Sequence, residues 1–177
     1  VFANNGVYTM PTMVERIEDK NGNVIYSADQ ITNQVVNSGV AYEVLKLMKG
    51  VVQRGTGASL RGSYNAWGGI TYPTAGKTGT TQGNAVGLFM GLTPDLVTGI
   101  STAGLNKNIA FEFTSDGQGA RMALPVYGYY MQKVYADEGL KISKGDFTKP
   151  LDYIPERFEC NDDHLPTDGS NLEFGEF

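Results

Sequence analysis

Ala75-Gly76-Lys77-Thr78-Gly79-Thr80-Thr81 holds one cation, three hydroxyls and two glycines in seven residues. It lies between a Gly/Pro-rich approach, Trp67-Gly68-Gly69 to Pro73, and an apolar run from Val86 to Met90. That make-up reads as a short strand whose edge is left open to a ligand. Alternation puts Lys77 and Gly79 on one face and Thr78 and Thr80 on the other. Gly79 has no Cβ, so a ligand's main chain can come close to the strand there. The ligand implied is an extended, peptide-like chain ending in an anion, paired as an added strand and held by hydroxyls and an ammonium. Two plainer readings compete. The tetrapeptide Lys77 to Thr80 could be a polar hairpin. Gly76-Lys77-Thr78 could also end a phosphate loop, but that motif needs a glycine where Thr71 stands and a helix where Thr80-Thr81-Gln82-Gly83-Asn84 follows.

A chain of 177 residues, 41% hydrophobic, is long enough to bury one core and reads as one main domain. No apolar stretch approaches the ~20 residues of a membrane span, and no signal peptide is visible. Cys160 is the single cysteine and His164 the single histidine. An internal disulfide is therefore excluded, and neither a metal nor a cofactor is expected. Positions 151 to 177 carry eight acids against Arg157 alone, which accounts for the net charge of −5 and leaves the body near neutral. Nothing in it has the basic footprint of a nucleic-acid binder.

Around the central stretch the expected class is α+β, an antiparallel sheet with packing helices. Val-Phe-Ala followed by Asn4-Asn5-Gly6 reads as a helix end, with Asn5 or Gly6 in the left-handed cap position. Val7 to Ile17 reads as a strand carrying Pro11 at an edge or bulge. Lys20-Asn21-Gly22-Asn23 turns it back into Val24-Ile25-Tyr26. Ser38 caps a helix from about Val40 to Arg54, whose apolar face is Val40, Val44, Leu45, Met48 and Val51 or Val52. Val86 to Leu92 and Leu96 to Ala103 add two strands to the Lys77 strand, consecutive and antiparallel. Arg121 to Asp137 is a second helix, with Met122, Val126, Tyr130 and Val134 as its stripe beside Tyr127, Met131 and Tyr135. Pro125 either begins its regular part or kinks it. From Glu138 on the periodicity fades. Residues 1–137 read as the domain and 138–177 as an acidic, largely irregular extension, anchored by Leu151, Tyr153, Ile154 and Phe158.

Several further stretches fall in a telling order: Phe2-Ala3-Asn4-Asn5-Gly6-Val7-Tyr8, Pro11, Asp19 to Val24, Arg54-Gly55-Thr56-Gly57, Ala75 to Thr81, and Phe89-Met90-Gly91-Leu92-Thr93-Pro94. This series resembles the C-terminal part of a penicillin-binding protein transpeptidase domain, of the bifunctional (class A) kind that carries a glycosyltransferase upstream. The resemblance implies a β-lactamase/transpeptidase-like fold, here truncated at its N-terminus. It implies a peptidoglycan D,D-transpeptidase, in which a serine attacks the D-Ala-D-Ala stem peptide, the terminal D-Ala leaves, and an amine resolves the acyl-enzyme. Penicillins acylate the same serine. By the same resemblance Lys77 and Thr80 are the catalytic residues here: Lys77 supplies positive potential, and the Thr80 N–H is one of two oxyanion donors. Thr78, Gly79 and Thr80 bind substrate, the two hydroxyls holding its carboxylate. The partners implied are stem peptides, β-lactams and the missing N-terminal part of the same polypeptide. The whole would be anchored on the outer side of the cytoplasmic membrane.

The family's nucleophile sits in Ser-x-x-Lys, and none of the eight serines has lysine three positions on; the serine is expected upstream of Val1. Ser63-Tyr64-Asn65 fits Ser-x-Asn in the wrong place, and Ser115-Asp116-Gly117 is only a loop. Val86 and Leu88 stand where the family often has Asp and Trp, and Ser101-Thr102-Ala103 where it tends to have Trp-Val-Gly. These substitutions keep a degenerate, non-catalytic cell-wall binding module open as an alternative, and a serine D,D-carboxypeptidase or β-lactamase-like hydrolase stays open because the same residues serve water or an amine as acceptor.

Overall fold

The computed structural model describes residues 1–106, 108–151 and 153. Its centre is a three-stranded antiparallel sheet of consecutive strands, β5 (Ala75–Thr80), β6 (Val86–Leu92) and β7 (Val97–Ala103), in the order β5-β6-β7. Two small antiparallel pairs precede it. β1 (Val7–Thr9) pairs with β4 (Thr32–Gln34), and β2 (Arg16–Glu18) with β3 (Val24–Ser27). The helices are α1 (Ser38–Gln53), a single turn α2 (Thr114–Gly117), and α3 (Gly119–Ala136). The expected α+β sheet and its two helices are present.

One face of the sheet and the underside of α3 make the main core. Phe89 and Tyr127 meet edge to face with ring centroids 4.9 Å apart. Ala123, Leu124, Met131 and Val134 continue along the helix, with Val52, Leu60, Trp67 and Ile70 closing the end nearest β5. The Tyr127 ring lies directly on β6 because Gly91 has no Cβ; one built there would fall inside the ring. Burial pushes the Tyr127 phenol well above its ordinary range, with Tyr135 and Tyr130 adding to the rise, so the core holds no charge at this point. Trp67 is buried, and its indole N–H donates to Leu60 O at 2.9 Å. A second cluster, Leu45, Ala75 and Leu92, with Ala3, Met48 and Phe147 against it, joins α1 to the start of β5.

Several expectations are corrected in detail. The Val7 to Ile17 run is not one strand: it breaks at 10–15, and its two ends pair in different sheets. Pro11 lies in that break, where its missing N–H interrupts no ladder. The cap of α1 is Asn37, whose side chain accepts from the Gly39 N–H at 2.8 Å, and Ser38 is the first helical residue. The buried face of α1 is Ala41, Leu45 and Val52, while Val40 is exposed. In α3 the same one-position rotation buries Ala123, Leu124, Tyr127, Met131 and Val134 and leaves Val126 and Tyr130 outside. Sequence spacing gives the period of a stripe but not its phase when both flanks are apolar. The helix begins six residues before Pro125, so that proline lies inside it rather than at its start. At the N-terminus, Asn5 (φ 50°) and Gly6 (φ 85°) both take the left-handed conformation. The β2–β3 turn is held by the Asp19 carboxylate, which accepts from the main-chain N–H groups of Asn21 and Asn23 and from the Asn23 amide.

Among the described residues after Ala136, the chain runs back across the molecule without regular structure beyond a short 3-10 turn, Glu138–Leu140. Ser143 N–H donates to Asp95 at 2.6 Å, Lys49 pairs with Asp146 at 2.5 Å, and Phe147 packs into the second cluster. Tyr153 stacks edge-on against Tyr42 and bonds Glu43 and Lys46 on α1. Of the expected anchors, Tyr153 packs and Leu151 is fully exposed, while Ile154, Phe158 and the acidic tail lie outside the described residues. Burial raises the Asp146 pKa, but the Lys49 hydrogen bond, the Phe147 N–H and the Lys49 charge outweigh it, and the net shift is downward.

Two outcomes follow. Phe89→Ala should cost about 3–5 kcal/mol, read as a fall in the urea midpoint, because its ring is fully enclosed; a loss below about 1 kcal/mol would place the core elsewhere. For Asp146 the folded pKa lies below the ordinary carboxylate value of 3.8. Its pairing therefore contributes above that pH and is lost as pH falls through the lowered value. Asp146→Asn should flatten the decline of stability between about pH 5 and about pH 2.

Candidate active site

The strand β5 pairs only with β6 among the described residues, so its other margin carries no partner strand. The register sets Thr80 opposite Gly87, Gly79 opposite Leu88, Thr78 opposite Phe89 and Lys77 opposite Met90. Just past the strand, Thr81 donates its N–H to Val86 O at 3.0 Å. Bonded and non-bonded pairs alternate along an antiparallel ladder. The main-chain groups of Thr80 and Thr78 are therefore turned away from β6, toward the open margin, while those of Gly79 point inward. A two-residue period in the pairing thus presents two outward N–H and C=O sets, spaced as an added strand requires.

The side chains stand around that margin. Lys77 is exposed, and its ammonium donates to Thr78 O at 2.8 Å, one of the outward carbonyls. Thr78 Oγ1 lies 2.7 Å from Thr56 Oγ1. Thr80 Oγ1 accepts from the Gly119 N–H at 3.2 Å. The nearest atoms to a Cβ built on Gly79 are those of the Leu88 side chain, the closest at 3.1 Å, so that side chain would have to give way to any residue larger than glycine. Beyond Gly79 the same face runs over Leu88, Met90 and Ser101, all of them exposed.

Lys77, Thr78, Gly79 and Thr80 are thus together on one strand with an accessible margin. Thr56 is the residue the reading of the sequence missed as a site member. Its stretch, Arg54 to Gly57, reads as a turn that ends α1. The signal that could have found it was chemical: a hydroxyl between two glycines, delivered by a helix that must pack on the strand. Gly57 makes that delivery by closing back on α1, its N–H donating to Val51 O at 3.0 Å. Ser63, Asn65 and Ser115 are not brought to β5: Asn65 bonds Ser59 O and Gly62 O in its own loop, and Ser115 O accepts from Gln118.

The description of the matching family is "Penicillin binding protein transpeptidase domain", over residues 1–119. The chain belongs to that family. Among curated relatives, penicillin-binding protein 1A of Neisseria meningitidis is 30% identical across 97% of this chain and 21% of its own length. Penicillin-binding protein 1A of Clostridium novyi is 36% identical over 53% of the chain and 10% of its own length. Penicillin-binding protein 1B of Haemophilus influenzae is 34% identical over 75% and 16%. The chain spans between a tenth and about a fifth of these relatives. Among solved structures, penicillin-binding protein 1A from Haemophilus influenzae superposes with a TM-score of 0.64 at 19% identity, over 85% of this chain and 26% of that one. The penicillin-binding protein PonA1 from Mycobacterium tuberculosis gives 0.62 at 23% identity, over 86% and 39%. These place the fold among penicillin-binding proteins, and the resemblance drawn from the ordered stretches is borne out.

Proposed function

We propose that this chain is the C-terminal portion of a class A peptidoglycan D,D-transpeptidase and supplies the strand on which the stem peptide lies. The observation that carries the reading is the open margin of β5, where outward main-chain groups of Thr78 and Thr80 meet an exposed ammonium and three hydroxyls. In this reading the peptide's terminal carboxylate is held by the Thr78 and Thr80 hydroxyls under the positive potential of Lys77. The Thr80 N–H donates to the oxyanion formed when a serine attacks the penultimate carbonyl, and D-Ala leaves. An amine from a neighbouring stem then releases the acyl group. That serine belongs to a Ser-x-x-Lys motif, which none of the eight serines here supplies; it is contributed by another part of the parent polypeptide. A β-lactam occupies the same strand as a mimic of the dipeptide. Residues 138–177 form an extension to the domain.

Among the described residues no helix is long and apolar enough to cross a membrane. The parent is placed on the outer side of the cytoplasmic membrane, held by an anchor elsewhere, because its substrate is assembled there.

Fluorescent penicillin should label the parent polypeptide covalently and leave the isolated chain of 177 residues unlabelled; a labelled band at this chain's mass overturns the division of the site. In the parent, Lys77→Ala should slow acylation by about 100-fold, the usual effect of removing one preorganised electrostatic group. Labelling that survives the substitution at full rate would move the carboxylate site off β5.

A further inference from the structure

We propose that Gly119 is a positioning residue for the Thr80 hydroxyl, and that the seating of the first turn of α3 on β5 and β6 aims that hydroxyl's proton at a bound carboxylate. The proposal rests on β5 being the substrate strand. The first observation is the hydrogen bond itself: Gly119 N–H donates to Thr80 Oγ1 at 3.2 Å, across 39 positions of sequence. A hydroxyl that accepts on one lone pair keeps its own proton free to donate. With the accepting direction fixed by Gly119, the proton is confined to the remaining directions, and Thr80 meets an anion as a donor already oriented.

The second observation is the lack of space. A Cβ at position 119 would fall inside contact distance of Leu88 O and Gly79 O. Both are strand carbonyls, which cannot yield as the far end of a flexible side chain can. The helix therefore rests on the strands backbone to backbone, and any side chain at 119 lifts its N–H away from Thr80. The segment leading into α3 grips the turn after β5 in the same way. Phe111 N–H donates to Asn84 O at 3.4 Å, and the Asn84 amide returns a bond to Phe111 O at 3.3 Å. Gly117 packs on Asn84 so closely that a Cβ would lie 2.6 Å from its Cβ. Residues 111–119 thus clamp the C-terminal end of β5, and Gly119 is the point where the clamp reaches a ligand-holding group. Thr78 has its counterpart in Thr56, so each of the two hydroxyls meets one protein partner.

The test uses the full-length polypeptide that contains this chain, with labelled penicillin as the probe. Gly119→Ala should slow acylation by about 10-fold, since a shift of a fraction of an ångström at a positioned group costs that order. Thr80→Val should slow it comparably, and Thr80→Ser should restore most of the loss. The deciding measurement is the double variant: in the Thr80→Val background, Gly119→Ala should add less than about 2-fold, because its effect runs through a hydroxyl already removed. Thermal melting should still show a fall for Gly119→Ala in the Thr80→Val background, since the clash with the strand carbonyls remains there, separating packing from positioning. Full multiplication of the two rate effects, or unimpaired acylation by Gly119→Ala, overturns the proposal. If Gly119→Ala does not fold, Thr80→Val decides alone. Its Gly119 amide must lose protection from hydrogen exchange while the rest of α3 keeps it, and acylation must slow; either failure overturns the proposal. An unsubstituted parent that takes no label removes the substrate-strand reading itself, a result distinct from labelling with uncoupled variants.

Discussion

The parity of pairing between β5 and β6 is the constraint from which the rest of the site follows. Once Thr81 bonds to Val86, alternation along the ladder leaves Thr78 and Thr80 with main-chain donors and acceptors facing outward. A slip of one residue would turn those groups into the sheet and send every side chain of β5 to the other face. The register is therefore worth protecting, and the core protects it. Phe89 stands opposite Thr78 and is held by Tyr127, which sits on Gly91 where no side chain could be accommodated. If β6 were the strand to slip, Phe89 would be exposed and a neighbouring side chain driven into the Tyr127 ring.

The sheet has two faces with different duties, and the helices divide them. α3 covers the face of Phe89, while α1 reaches the start of β5 through Leu45 and ends where Thr56 meets Thr78. Both hydroxyls on the strand thus touch partners delivered by helix ends, one by the C-terminal end of α1 and one by the N-terminal end of α3. Hydrophobic packing locates the helices, and the polar contacts at their ends fix where the two hydroxyls stand. The segment from Ser143 to Tyr153 adds a strap across the far side of α1 through Asp146, Phe147 and Tyr153. Its charged contacts are partly exposed on one side of each pair and weak singly, so Phe147 and the Tyr42–Tyr153 pair carry most of its hold.

Much of this was legible from residues alone. The three consecutive strands were readable because the apolar runs Val86 to Leu92 and Leu96 to Ala103 are separated by Thr93-Pro94-Asp95, which can only turn. The Lys20 to Asn23 hairpin was readable from Asn21-Gly22, and the central strand from a cation, hydroxyls and glycines between a Gly/Pro-rich approach and an apolar run. What failed was phase and pairing. Val40, Val126 and Tyr130 fit an apolar stripe as well as the residues that are actually buried, since neighbouring stripes overlap when half the positions are apolar. The Val7 to Ile17 run looks continuous because nothing local records that its ends join different partners.

By itself the sequence determined that Lys77, Thr78, Gly79 and Thr80 lie on one strand, since short-range chemistry and a two-residue period require no knowledge of the rest of the chain. It also determined the family, through stretches that recur in order. The tertiary structure alone decided which margin of that strand stays open, which way the Thr80 main chain faces, and that Thr56 and Gly119 arrive beside hydroxyls 22 and 39 positions away. Those outcomes depend on where two helices come to rest, and that is set by the shape of Phe89, Tyr127 and the glycines beneath them, acting together across distant parts of the chain.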